Sequence, residues 1–232
     1  MSNLQANYEL ILTELRKLTK TENFYFKPIK PKLSDIEVIS LIVLAEFKSI
    51  DSEHQLFREI QGLDIGSKIE RSVYNRRKRQ LFPYIEKIRM KMVEKFNEFE
   101  NYFVVDSMPL EVCKLARSSR SRICKEEDYA LPNKGFCASQ NLHYYGYKLH
   151  AVCSIEGVFQ SFDLTPASVH DIHYLKDIKS QLSDCVLLGD KGYLSQTIQL
   201  DLFNDVNIKL ETPKRINQKD YKPQFYQFKK FR

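Results

Sequence analysis

Apolar residues return every three or four positions from Leu4 to Leu18, and this spacing predicts an amphipathic helix. Pro28 and Pro31 then interrupt the pattern, because a proline removes a backbone hydrogen bond and clashes inside a helix. Further along, a serine is followed three residues later by Glu or Gln at three places, which is the capping-box signature of a helix start. These boxes begin at Ser34, Ser52 and Ser67.

Pro83 opens another apolar run, and because proline suits the first turn of a helix it predicts one more helix start. Residues 1–100 are therefore predicted to form an all-helical region of short helices joined by tight turns. Short helices that lead to a basic one are typical of a helix-turn-helix DNA-binding domain. A solvated basic face on an ordinary helical domain explains the same pattern equally well. The basic residues are Arg71, Arg76, Arg77, Lys78 and Arg79.

After residue 100 the hydrophobic period changes towards two, which predicts strands. Two helical patterns interleave with them, at 167–182 with Ser168 as N-cap and at 195–206. This order predicts an α/β domain over residues 101–232, with a mixed sheet and helical covers. The predicted strands are 102–113, 144–154, 158–166, 185–190 and 207–213.

The composition limits the class of protein. The chain has 232 residues, 43% of them hydrophobic, which is enough to bury one large core or two smaller ones. No apolar run approaches the ~20 residues that cross a bilayer, and the N-terminus lacks a signal-peptide layout. Five cysteines without regular spacing favour reduced thiols, so we expect a cytoplasmic protein without a membrane partner. The net charge of +6 is compatible with nucleic acid but does not demonstrate it.

Two short apolar strands each end in an aspartate followed by a turn. They are "FVVDSMP", which contains Asp106, and "VLLGDKGY", which contains Asp190. If the two strands are neighbours in the sheet, both carboxylates lie at one edge and form an oxygen site of the kind that Mg²⁺ prefers. Aspartate also ends strands and makes turns without binding anything, and this alternative stays open.

The chain resembles the DDE transposases of bacterial insertion sequences, most closely the 982 family of those elements. The resemblance is carried by "VVDSMPLEVCK", "KGFCASQNLHYYGYKLHAV", "FDLTPASVHDIHYL" and "LLGDKGYLS". It implies a ribonuclease-H-like catalytic fold, two Mg²⁺ ions (with Mn²⁺ as a substitute), and cleavage and strand transfer at the ends of a mobile DNA element. It also implies that Asp106 and Asp190 are the first two acidic ligands. The implied partners are double-stranded element ends, target DNA in the nucleoid, and further copies of the chain assembled on DNA.

The third acid of that family is a glutamate on a helix after the last strand, and the sequence departs from the family there. "YKPQFYQFKKFR" looks like the approach to that helix, so we expect a C-terminally truncated chain whose activity is impaired or lost. Asp171, Asp177 and Glu211 are poor replacements by their positions. Two alternatives remain open: a DNA-binding module that holds element ends and inhibits a full-length enzyme, and a non-mobile Mg²⁺-dependent nuclease.

Further basic residues are candidate DNA contacts. The long segment 114–134 carries three arginines separated by serines, a pattern that suits phosphate contacts but also fits a solvated loop. Strand alternation places Lys148 and His150 on one face, directed towards the acidic pair or simply exposed. Lys191 contacts DNA or offsets the charge of Asp190. The arginines are Arg117, Arg120 and Arg122.

Overall fold

The computed structural model describes residues 3–26, 28–126 and 128–213. The chain divides into two compact units, Met1–Lys95 and Phe96–Arg232, a division close to the change of hydrophobic period. In neither unit, over the described ranges, is a helix long and apolar enough to cross a membrane.

The first unit is built from helices that share one apolar core. Apolar side chains at helical spacing face this core, where Ile36, Leu41, Leu44 and Leu81 are almost completely buried. No strand lies among the described residues of this unit. The helices are α1 (Asn3–Leu18), α2 (Asp35–Phe47), α3 (Glu53–Glu59) and α4 (Arg71–Phe96).

Only one of the three predicted capping boxes is complete. At the start of α2, the Glu37 N–H donates to Ser34 Oγ and the Ser34 N–H donates to Glu37 Oε2. Ser52 precedes α3 but makes no side-chain cap bond. The box at Ser67 was a wrong prediction, because the Ser67 hydroxyl donates to the Asp64 carbonyl instead and closes a 3₁₀ turn.

The helix start predicted at Pro83 is also wrong, since Pro83 lies inside the 26-residue helix α4. Pro83 is on the exposed side of the helix. Leu81 and Ile88 are buried on the other side, to either side of the proline along the chain. Their packing outweighs the one hydrogen bond that proline removes, because tertiary contacts supply most of the stability of a protein helix.

Arg77 belongs to the interior of this unit, which corrects its prediction as a DNA contact. Its side chain is 9% exposed, and Nη2 lies 2.7 Å from Oδ1 of Asp35. Nη1 donates to the Leu33 carbonyl at 3.0 Å, and the other Asp35 oxygen accepts the Phe24 N–H. A guanidinium that ties α4 to the start of α2 in this way is not available to a phosphate.

The second unit contains a six-stranded mixed sheet in the order β2-β3-β1-β5-β6, with β4 also paired to β3. β1 runs antiparallel to β3 and parallel to β5, and β5 runs parallel to β6. The strands are β1 (Tyr102–Cys113), β2 (Asn133–Cys137), β3 (Leu142–Ser154), β4 (Phe159–Pro166), β5 (Val186–Leu188) and β6 (Lys209–Glu211).

The mixed α/β class is confirmed, but two elements of this unit differ from prediction. β2 was not predicted, because it begins at the end of the arginine-bearing segment 114–134 and has no run of alternating apolar residues. The helix predicted over 167–182 shortens to a 3₁₀ turn at Asp171–Tyr174 and one helical turn, α5 (Leu175–Ile178). Ser168 does not cap it, since its hydroxyl accepts from the Asn133 amide and thereby ties the segment to β2.

One core holds the sheet of the second unit against its helical segments. Phe103 and Val105 of β1 and Leu187 of β5 contribute from the sheet. From the helical segments, the fully buried residues are Tyr174, Leu175, Ile178 and, on α6 (Gln196–Val206), Leu202.

We expect Asp35→Ala to lower the free energy of unfolding by about 3–5 kcal/mol, because it leaves the Arg77 charge buried without its partner. Urea denaturation measures this loss. Asp64→Ala is the matched control, since its pair with Lys68 is exposed and its removal should cost under about 1 kcal/mol. The double variant Asp35→Ala/Arg77→Met should recover part of the stability, and a double variant as unstable as Asp35→Ala would contradict the explanation.

Candidate active site

The parallel pairing of β1 with β5 brings two aspartates to one edge of the sheet. Val104 lies opposite Leu188 in the register. Asp106 follows Val104 by two residues, and Asp190 follows Leu188 by two. Asp190 therefore lies just past the carboxyl end of β5, where ligand sites collect, and Asp106 lies within β1 just past the stretch that pairs with β5.

Both carboxylates line one open cleft with a volume of about 350 Å³. Its walls come from β1, from β3, and from β2 with the residues just after it, and Asp171 contributes from the start of a 3₁₀ turn. Its polar lining residues are Asp106, Ser107, Cys137, Ser139, Tyr144, Lys148, Asp171 and Asp190.

Each of the paired aspartates is held by a nearby backbone amide. The Ser107 N–H donates to Asp106 Oδ1 at 2.8 Å, and the Gly192 N–H donates to Asp190 Oδ1 at 2.6 Å. Asp190 thereby caps the 3₁₀ turn Lys191–Tyr193. Both bonds use Oδ1, and within the described ranges no hydrogen bond is made to either Oδ2. One oxygen of each carboxylate is thus free to bind a ligand.

Gly192 leaves space that any other residue would fill. A Cβ at this position would lie 2.9 Å from Asp190 Oδ1 and 3.4 Å from Asp171 Oδ2. Two carboxylates therefore face the glycine from different segments. The missing side chain lets the Asp190 carboxylate keep the position in which it accepts the Gly192 N–H.

Tyr193 lies behind this turn and is only 1% exposed. Its ring packs against Gly189, where an added Cβ would come within 3.2 Å. Burial raises the pKa of Tyr193, and the charges of Asp171, Asp106 and Asp190 raise it further, while the neighbouring Ser107 hydroxyl lowers it. Among the described residues its hydroxyl has no well-formed hydrogen bond.

Lys148 extends from β3 into the cleft, as strand alternation predicts. Its ammonium lies 3.0 Å from Asp171 Oδ1 and donates to the Val169 carbonyl at 2.8 Å. The side chain is 16% exposed, so the charge is held at the wall of the cleft.

His150 does not reach the cleft, which corrects its prediction as a DNA contact. It is fully buried, its Nε2 lies 2.7 Å from the Thr165 hydroxyl, and its ring stacks on Tyr174. Burial lowers the pKa of His150, so it is neutral at pH 7 and brings no charge to a phosphate.

The remaining basic candidates lie at the surface. Lys191 is exposed next to Asp190. The three arginines of the long segment line a separate open pocket of about 580 Å³ together with Cys113. On α4, Arg71 lies 3.9 Å from Glu53, Lys78 is half-buried, and Arg76 and Arg79 are exposed.

Asp171 and Ser107 line the cleft although neither was predicted to be part of it, and the buried Tyr193 behind the cleft was not predicted either. Asp171 was predicted only at the start of a helix, and the short 3₁₀ turn brings it to the cleft instead. Ser107 and Tyr193 stand next to the motif aspartates along the chain. Proximity to those motifs was the only sequence signal that could have found them.

The cleft suits a hard divalent cation through two protein ligands. Carboxylate oxygens are the donors that Mg²⁺ prefers, and Mg²⁺ accepts one or two of them together with waters. Across the described ranges, no three His, Cys, Asp or Glu side chains converge closely enough to hold a metal ion. Glu211 pairs with Lys209 at 2.8 Å and Asp177 is exposed, and neither lines the cleft.

We expect Gly192→Ala to weaken Mn²⁺ binding by about tenfold, because the new Cβ displaces the Asp190 carboxylate and loss of ligand orientation costs about that much. Electron paramagnetic resonance of free Mn²⁺ measures the affinity. Asp190→Ala should weaken binding at least as much, and Asp205→Ala, an exposed acid on α6, should leave it unchanged. Unchanged affinity in Gly192→Ala would show that the carboxylate is not needed where we find it.

Comparison with known proteins agrees with this geometry. A family model described as the transposase DDE domain matches residues 96–229, which is more than half of the chain. No curated protein and no solved structure matches. The match spans the sheet, the cleft and both motif aspartates, and the chain therefore belongs to the transposase DDE domain family.

Proposed function

We propose that this protein is an insertion-sequence transposase, of the 982 family, that cuts DNA at the ends of its element and joins them to target DNA. Asp106 and Asp190 are the proposed metal-binding and catalytic residues on a ribonuclease-H-like sheet. The observation that carries the proposal is the cleft in which both carboxylates lie beside the Lys148 ammonium. Members of the DDE transposase family use divalent metal ions, and Mg²⁺, with Mn²⁺ as a substitute, is the ion we propose.

Asp106 and Asp190 would hold Mg²⁺, which when bound supplies Lewis-acid stabilisation of a phosphate and lowers the pKa of a bound water. The protein's own part is to keep the two carboxylates ready. The Ser107 and Gly192 amides fix one oxygen of each aspartate, so little side-chain freedom is lost when a ligand binds.

Lys148 gives the cleft a positive group for the substrate. An ammonium at the wall of the cleft can contact a non-bridging phosphate oxygen as a point charge. Lys191, exposed next to Asp190, is a second cation at the same edge of the sheet. Together they offset the repulsion between a polyanionic strand and the carboxylates.

The decisive experiment is a nicking assay on duplex DNA that carries the element ends, with Mg²⁺ or Mn²⁺. We expect weak cleavage by the wild type, because no group of three metal-ligating side chains converges within the described ranges. Asp106→Ala and Asp190→Ala should each abolish it. Asp163→Ala is the control, as an exposed acid on β4 that does not line the cleft. Cleavage that persists in Asp190→Ala would overturn the assignment of the site.

A DNA-binding module without catalysis is the second candidate function, and the absence of a three-ligand group in the described ranges favours it. The same assay separates the two. DNA binding without nicking in either metal supports the module. Metal-dependent nicking that needs Asp190 supports the enzyme.

The continuity of α4 supports a DNA contact in the first unit. Because the helix does not break at Pro83, four exposed basic residues fall within an arc of about 120° along one side of it. They extend over about 22 Å of helix, and Glu94 is an exposed acid on the same side. We propose that this basic side of α4 binds the DNA backbone. Its residues are Arg76, Arg79, Lys87 and Lys91.

Replacing two of these charges should weaken DNA binding in a salt-dependent way. We expect Lys87→Gln/Lys91→Gln to reduce the slope of log K against log salt by about 1.8, because each lost phosphate contact removes about 0.9. Fluorescence anisotropy across a salt series measures the slope. Lys30→Gln/Lys32→Gln removes the same charge from an exposed loop of the same unit and should change the slope little. Equal slopes in both double variants would contradict a localised contact.

A further inference from the structure

Asp171 is a carboxylate of the cleft that lies outside the two strand motifs of Asp106 and Asp190. It opens the 3₁₀ turn Asp171–Tyr174, and its Oδ1 accepts two hydrogen bonds. One comes from the Ser107 hydroxyl on β1 at 3.0 Å and the other from the Lys148 ammonium on β3 at 3.0 Å. A single oxygen thus links this turn to two neighbouring strands at the place where the catalytic pair is held.

We propose that Asp171 is a positioning residue of the DNA-cleavage site, which orients the Lys148 ammonium towards the scissile phosphate and holds Ser107 beside Asp106. The inference rests on the proposed function, because it assigns Lys148 to a DNA phosphate. It assigns Asp171 no contact with the reacting atoms.

The geometry of Lys148 supports this role. An ammonium has three N–H donors, and two are used, one by Asp171 Oδ1 and one by the Val169 carbonyl. Both acceptors belong to the same short segment, so the ammonium is held from one side. One donor remains for a phosphate oxygen in the cleft.

Ser107 extends the same arrangement to the catalytic pair. Its hydroxyl donates to Asp171 while its backbone N–H donates to Asp106 Oδ1 at 2.8 Å. The hydroxyl bond fixes the side-chain rotamer of Ser107. It also ties β1, at the residue after Asp106, to the turn that carries Asp171.

The segment that carries Asp171 is itself firmly attached, which a positioning role requires. Asn133 on β2 accepts the Ser168 N–H at 2.8 Å and donates to the Ser168 hydroxyl at 2.7 Å. His170 Nδ1 accepts the Ile172 N–H, and Tyr174 and Leu175 are fully buried. The backbone that carries Asp171 is therefore held in place, and its carboxylate can restrain the Lys148 ammonium.

Asp171 differs from Asp106 and Asp190 in how its oxygens are used. The Oδ1 atoms of the catalytic pair accept backbone amides, whereas Asp171 Oδ1 accepts a cation and a hydroxyl. A carboxylate whose charge is already matched by an ammonium is poorly suited to bind a second cation. We therefore assign it to Lys148 and not to the metal.

The test is a double-mutant cycle in DNA binding. Asp171→Ala and Lys148→Met should each lower the salt slope by about 0.9, the value of one phosphate contact, and the double variant should lower it no further. Asp171→Asn, which keeps an oxygen acceptor for Lys148 and Ser107, should retain more of the slope than Asp171→Ala. The matched control is Asp177→Ala, an exposed acid on the same segment, which should leave the slope unchanged.

A second measurement separates positioning from metal binding and from a purely structural role. Mn²⁺ affinity in Asp171→Ala should stay within about threefold of wild type, whereas Asp190→Ala loses about tenfold or more. A loss in Asp171→Ala equal to that in Asp190→Ala would overturn the proposal in favour of a third metal ligand. Two outcomes would overturn it in favour of a structural role. One is that the effects of the two substitutions on the salt slope are additive, and the other is that Asp171→Ala lowers only the melting temperature.

The proposal and the proposed function can fail separately. If the wild type shows no salt-dependent DNA binding, the proposed function fails. The contact between Lys148 and Asp171 can then still be tested in the protein without DNA. A ¹⁵N spectrum of the lysine ammonium groups should show slow proton exchange at Lys148 in the wild type and in Asp177→Ala, and fast exchange in Asp171→Ala. Slow exchange in all three would overturn the positioning role.

Discussion

β1 lies between β3 and β5, and its two pairings make the site possible. The parallel ladder with β5 sets Asp106 level with Asp190, while the antiparallel ladder with β3 sets Ser107 opposite His150 and brings Lys148 within reach. A one-residue slip in either ladder would turn every side chain of the moved strand to the other face. The buried residues Phe103, Val105 and Leu187 oppose such a slip, because it would expose them. The same apolar contacts that stabilise the sheet therefore place the carboxylates.

The cleft combines carboxylates that are held differently. Asp106 and Asp190 accept backbone amides from one and two residues further along the chain, so their orientation follows from a few consecutive residues. Asp171, on a 3₁₀ turn, is held instead by an ion pair with Lys148 on β3, which is far from it in the sequence. Charge in the cleft is thus partly balanced within the protein, which reduces the repulsion among three neighbouring acids. The balance leaves the second oxygens of Asp106 and Asp190 as the sites that we propose for an added cation.

In the first unit, one buried ion pair decides which basic residues of α4 are at the surface. Arg77 is turned inwards to Asp35 and the Leu33 carbonyl, and this orients α4 with Leu81 and Ile88 in the core. Arg76 and Arg79, its neighbours in sequence, are then on the outside. A charged residue inside a basic run is usually solvated, and Arg77 is an exception because Asp35 and the Leu33 carbonyl are its buried partners.

The sequence by itself determined the helical character of the first region and the mixed α/β character of the second. It also determined the β1 strand and the positions of Asp106 and Asp190 in the chain relative to their strands. These follow from local periodicity and from turn residues that act over a few positions. It did not determine β2, the end of the helix predicted at 167–182, or the course of α4 through Pro83, because packing against distant residues outweighs local propensity there. Nor could it separate Arg77 and His150 from their exposed neighbours, since burial depends on segments far apart in the chain. Only the tertiary structure brought Asp171 to Lys148. Its hydrogen bonds join the 3₁₀ turn to Lys148 on β3 and to Ser107 on β1, and these elements are far apart in the sequence.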